Sequence, residues 1–144
     1  MIKKVIKIEK DVPSNDSIEL SWFDMKKPNL TALSKNGVEF IVKAKFTHLH
    51  EGDVMVCEDG YTIKILKSKD DVYELKFKTA LLFAKIAYEI GNRHQPVCIE
   101  EHKITVLDDI SLNDIIKICK DDNMVNVSKI KGYFKPNGKA HHSH

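Results

Sequence analysis

The spacing of apolar residues changes near residue 70, and that change constrains the fold more than any other feature of the sequence. Before it, apolar and polar side chains alternate in short runs: Ile18, Leu20 and Trp22, then Val38 to Ala44, Val54 to Cys57 and Tyr61 to Leu66. A period of two puts alternate side chains on one face of a strand. Asn36-Gly37 and Asp59-Gly60 supply residues that accept positive φ in tight hairpins, and Glu51-Gly52-Asp53 marks a further turn. Residues 1–70 therefore read as an all-β domain. The polar stretch from Lys67 to Asp71 carries no apolar period, and the domain boundary is placed there.

Beyond it the period lengthens to about 3.6, the helical repeat, and returns to two. Tyr73, Leu75 and Phe77 alternate as a strand. From Thr79, an N-cap residue type, Leu82, Ile86 and Ile90 fall on one helical face, and Gly91 reads as the stop. Val97 to Ile99 and Ile104 to Leu107 read as a hairpin joined through Glu100-Glu101-His102-Lys103. Ser111 with Asp114 resembles a capping box, Leu112, Ile115, Ile116 and Cys119 continue a second amphipathic helix, and Val125 to Ser128 alternate as a last strand. The order β-α-β-β-α-β is that of the ferredoxin-like unit. The expectation is thus an α+β chain: a β-rich domain over 1–70, a ferredoxin-like domain over 71–144, and a flexible tail over 135–144.

Charge and composition exclude several classes of function. The net charge is only +2 and the lysines are scattered among acidic residues, so no nucleic-acid footprint stands out. No apolar run approaches membrane-spanning length, and the basic first ten residues lack the apolar core of a secretory signal, which points to the cytoplasm. Cys57, Cys98 and Cys119 are far apart and form no C-x-x-C, so they read as small buried hydrophobes. The single arginine, Arg93, stands in a chain that otherwise uses lysine, which suggests a position that needs a planar, five-donor guanidinium.

Seven histidines remain, with neither H-E-x-x-H nor the paired spacing of a structural zinc site. His141, His142 and His144 end the chain as His-His-Ser-His, a tail able to wrap neutral imidazoles around a borderline divalent ion such as nickel, copper or zinc. Ser143 interrupts that run, where a purification tag would be unbroken. His94 follows the first helix of the second domain; on residue chemistry alone it reads as a cap or a surface residue. His102, beside Glu100 and Glu101, reads as a solvated turn residue or an auxiliary ligand. His48 and His50 flank Leu49 at a strand-like i, i+2 spacing that would let both face a metal, but loop polarity is the favoured reading.

The segment Gly91-Asn92-Arg93-His94, preceded by Ala87-Tyr88-Glu89-Ile90, resembles the signature of the UreE family of urease accessory proteins. The likeness extends to Gly52-Asp53-Val54, to Phe134-Lys135-Pro136 and to the histidine-bearing end. It implies a homodimer in which His94 of each chain lies on the twofold and the pair binds Ni(II), with Zn(II) as a competitor. Arg93 and Asn92 then support the helix end or the interface. The implied partners are the nucleotide-binding accessory protein UreG and, through the accessory complex, apo-urease. Asp108-Asp109-Ile110 stands where some relatives carry His-Asp-His, and three tail histidines are few, so a low nickel stoichiometry follows. The competing classes are a metal-dependent hydrolase, a general zinc or copper binder, and an RNA module using Tyr73 and Phe77. No nucleophile, base and orienter can be assembled for the hydrolase, and the RNP pattern of the RNA module is absent.

Overall fold

The computed structural model describes residues 1–43 and 49–137, which form two compact units, Met1–Ser68 and a second beginning at Lys69. In the first unit, β1 (Lys3–Glu9), β2 (Asp16–Leu20), β3 (Leu30–Leu33), β4 (Glu39–Val42), β5 (Val54–Cys57) and β6 (Thr62–Lys67) make one sheet in the order β2-β6-β5-β1-β4-β3. The β1–β4 and β2–β6 pairs are parallel and the other three antiparallel. The Asn36-Gly37 and Asp59-Gly60 turns join β3 to β4 and β5 to β6, with Gly37 at φ 81° and Gly60 at φ 88°. Val5, Phe40, Met55, Ile63 and Ile65 belong to the core of this unit.

The edge strands β2 and β3 are fastened through a buried carboxylate. Asp16 accepts hydrogen bonds from Ser34 Oγ, from Tyr61 Oη at 2.8 Å, and from the amides of Ser17 at 2.7 Å and Asn36 at 3.2 Å. Donors from both ends of the sheet thus offset the cost of taking this group out of water. Lys35 N–H donates to Ser17 O at 2.8 Å beside it.

Two features depart from the sequence reading. Trp22 does not continue the β2 alternation: Ser21 Oγ accepts from Asp24 N at 3.1 Å and caps a five-residue helix, α1 (Trp22–Lys26), so the unit is not all-β. Strand β1 lies inside the sheet, between β5 and β4, yet its sequence does not alternate. A register shift between Val5 and Lys7 explains this, since a bulge moves later side chains to the other face.

The second unit runs β7 (Asp70–Phe77), α2 (Ala80–Asn92), β8 (Val97–Glu100), β9 (Lys103–Leu107), a 3-10 turn (Ile110–Leu112), α3 (Asn113–Lys120) and β10 (Val125–Gly132). Its antiparallel sheet has the order β10-β7-β9-β8. Thr79 Oγ1 accepts from Leu82 N at 3.3 Å and caps α2. Leu75, Phe77, Ile104, Val106 and Val125 from the sheet share one core with Ile86 and Ile90 of α2 and with Ile115, Ile116 and Cys119 of α3. Tyr73 packs against the same core and Phe77 is part of it, so neither ring is a free stacking platform for a base.

The other face of this sheet is crossed by the chain after β10. Phe134 is 1% exposed and lines a hollow with Val72, Cys98 and Thr105, residues whose alternation sets them opposite the helix side. Asn137 N–H donates to Val97 O at 2.9 Å, and Asn137 Oδ1 accepts from Ile99 N–H. The expectation of a free tail from residue 135 is therefore corrected: through Asn137 the chain is fastened to the edge strand β8. His48, His141, His142 and His144 lie outside the described residues.

Candidate metal centre

Helix α2 does not stop at Gly91, as its composition suggested, but continues to Asn92 with Arg93 as its C-cap. The residue that takes the left-handed conformation beyond the cap is His94, at φ 56°. Glycine is the usual occupant of such a position because a Cβ is strained there. His94 N–H donates to Gly91 O and Arg93 N–H to Ile90 O, each at 3.0 Å, which closes the last turn, and Pro96 prevents further helix. The exposed imidazole is thereby held at a helix C-terminus, whose partial negative charge favours a cation.

Arg93 locks this end to the next helix. Its Nη1 and Nη2 donate to Asp114 Oδ1 and Oδ2 at 2.9 and 2.7 Å, and Nη1 also donates to Ser111 O at 2.6 Å. A fork that pairs both carboxylate oxygens and a carbonyl is a task lysine cannot perform. The hydrogen bond from Arg93 holds the Asp114 carboxyl down at about 2, below the usual carboxylate range. The capping-box reading of Ser111 and Asp114 is corrected accordingly. Asp109 Oδ1 accepts from Ser111 N at 2.8 Å and caps the 3-10 turn, which leaves Asp114, in the first turn of α3, for Arg93.

His102 is engaged elsewhere. Its Nδ1 lies 3.3 Å from Phe77 O, and its ring stacks on Phe83 with centroids 5.7 Å apart and planes at 10°. Phe83 is in the first turn of α2, so about 14 Å of helix separates it from Asn92. Within one chain His94 and His102 therefore stand at opposite ends of α2 and are not brought together. Among the described residues, no group of three or more His, Cys, Asp or Glu side chains is placed to hold a metal ion.

Beside Arg93, the helices α2 and α3 enclose an open groove of about 520 Å³. Leu82, Tyr88, Ile115 and Ile118 give it an apolar lining, and Arg93 and Asp114 also border it. Tyr88 is 68% and Ile118 59% exposed, a large apolar surface for two helices of a small unit.

The profile described as "UreE urease accessory protein, C-terminal domain" matches residues 70–144 of this chain. A urease accessory protein UreE from Aliarcobacter butzleri is 65% identical over all of this chain and 97% of that relative. The chain belongs to the UreE family. Further UreE relatives are 28% identical in a Chelativorans species, over 90% of this chain and 80% of the relative, and 26% identical in a Bacillus species, over 98% and 99%. UreE is an accessory family and not an enzyme family, so the hydrolase alternative is set aside. Among the described residues no helix is long and apolar enough to cross a membrane. The sequence reading gave Asp114 of this UreE chain a capping role in place of its pairing with Arg93, and it did not foresee the contact of Asn137 with β8.

Proposed function

We propose that this protein is a cytoplasmic nickel metallochaperone that works as a homodimer and hands Ni(II) to the machinery assembling the urease active site. The observation that carries this reading is His94: an exposed imidazole, kept in a strained backbone conformation at a helix end by a bidentate Arg93–Asp114 clamp. Asp11 and His102 share that φ of 56°, so what sets His94 apart is its place at the helix end beside the Arg93–Asp114 clamp. One imidazole is too few for a tight site, but an isologous interface duplicates every residue near its axis. The apolar groove, bordered by Arg93 next in sequence to His94, offers a surface for such an interface through the exposed Tyr88 and Ile118.

In this reading the second unit has the ferredoxin-like architecture and carries both the dimer contact and the metal, and the first unit receives partner or peptide segments. Gly91 and Asn92 support the turn that presents His94. His141, His142 and His144 add or withdraw further nitrogens, so the ion is held by few fixed ligands and can be released. Imidazole nitrogen suits nickel and zinc alike, and Zn(II) competes. The partners are UreG and, through it, apo-urease. His102, tied to Phe77 and Phe83, could contribute only from the other protomer. Titration with nickel and zinc, combined with light scattering, tests the reading: it requires a mass of about twice 16.5 kDa and one tight ion shared by two chains. A strict monomer at micromolar concentration, with and without nickel, contradicts it.

A further inference from the structure

The second sheet has two edge strands, β10 and β8, and protects them by different means. On β10 the guard is charge: Lys129 and Lys131 stand exposed at alternate positions, where they discourage another strand from adding to the open backbone. Strand β8, Val97-Cys98-Ile99-Glu100, has no lysine, and its β-branched Ile99 is 40% exposed. There the chain covers its own edge. Asn137 N–H donates to Val97 O at 2.9 Å, and Asn137 Oδ1 accepts the N–H of Ile99, so one residue takes up an acceptor and a donor on either side of Cys98. Gly132 ends the opposite edge strand, three strand spacings or about 14 Å away, and five residues reach at most ~18 Å. The crossing is therefore nearly straight, and the buried Phe134 pins its middle.

Without that cover the edge is complementary to itself. Antiparallel pairing with β8 of a second copy, centred on Ile99, gives the Ile99 N–H of each chain the Ile99 carbonyl of the other. It packs the two Ile99 side chains together and sets Glu100 opposite Cys98, so no like charges meet. We propose that Asn137 is an edge plug that keeps β8 from pairing with β8 of a second copy. Such a contact has a twofold of its own. Added to the homodimer of the proposed function, it would join dimers into larger closed or open-ended assemblies, so the plug holds the protein at two chains. That last step rests on the proposed homodimer, whereas the plug and the edge it covers do not.

Asn137→Pro in the full chain removes both bonds at once, since proline has neither the N–H nor the side-chain carbonyl, and it leaves Phe134 untouched. Asn137→Asp keeps both groups and is the control. In metal-free buffer at low micromolar concentration, Asn137→Pro should speed hydrogen exchange of the β8 segment about tenfold, and Asn137→Asp should not. Sedimentation from low micromolar to millimolar concentration then reads the pairing. Wild type and Asn137→Asp should agree in mass throughout, and Asn137→Pro should exceed them about twofold or more at the upper end. Adding Ile99→Lys, which sets like charges at the centre of the pairing, should return Asn137→Pro to the wild-type mass. Unchanged exchange in Asn137→Pro overturns the plug. A mass equal to the wild type's at every concentration, or a rise that survives Ile99→Lys, overturns β8 as the surface it covers. A wild type that sediments as one chain contradicts the proposed homodimer alone, because the comparison between variants still decides the plug.

Discussion

At the scale of single residues, the site is defined by two choices that cost stability or restrict sequence. His94 at φ 56° accepts a strain that glycine would not feel. His94→Gly should therefore be more stable than His94→Ala by about 1 kcal/mol in denaturant unfolding, although both lack the imidazole. Equal stability of the two variants would show that the turn is unstrained. Asp114 provides a pH test. Its carboxyl is held down at about 2 in the folded chain by Arg93, so the stabilisation is complete above the unfolded value near ~3.9 and is lost as pH falls through about 2. The melting temperatures of the wild type and Asp114→Asn should differ by a constant amount near neutral pH and converge between about pH 4 and pH 2. A gap that persists at pH 2 would mean that the ion pair does not act. Arg93 was legible as the one arginine in a lysine-rich chain, and the resemblance singled out His94. Asp114 was not, because Ser-x-x-Asp also fits a capping box, and only a partner 21 residues away decides between the two.

At the scale of elements, the change of period near residue 70 located β7, α2, the β8–β9 hairpin and α3, because each buries one face against a common core. It failed where burial does not alternate. The bulge between Val5 and Lys7 hid β1, and the exposed residues Ser128 to Lys131 hid the outer half of β10, which continues its pairing with β7 to Gly132. Trp22 was assigned to the wrong element because Ser21 works as an N-cap, a property that period counting does not weigh. Asn137 left no trace in any periodicity, since it adds one residue to a strand edge. The apolar groove between α2 and α3 belongs to this scale as well. Placing a charge in it with Tyr88→Asp should raise the dimer dissociation constant tenfold or more, about 1.4 kcal/mol, with no loss of secondary structure. Sedimentation at falling concentration reads this directly, and unchanged association would remove the groove as the interface.

For the whole molecule, the residue patterns and the similarity to UreE relatives converge on an accessory protein for urease maturation. Among the described residues, one imidazole at a helix end, a clamp beside it and an apolar surface do not make a metal site in a single chain. In the proposed function a second copy would complete it, which suits a carrier that must also release its cargo. The central claim is that His94 of both chains forms the tight nickel site. Calorimetric titration of Ni(II) into wild-type and His94→Ala dimers tests it most directly, because one substitution deletes two ligands while the exposed side chain contributes little to folding. The account predicts one tight ion per two chains in the wild type and, in the variant, a dimer of the same mass that has lost that site and keeps only weak binding. Unchanged affinity and stoichiometry in His94→Ala would contradict it.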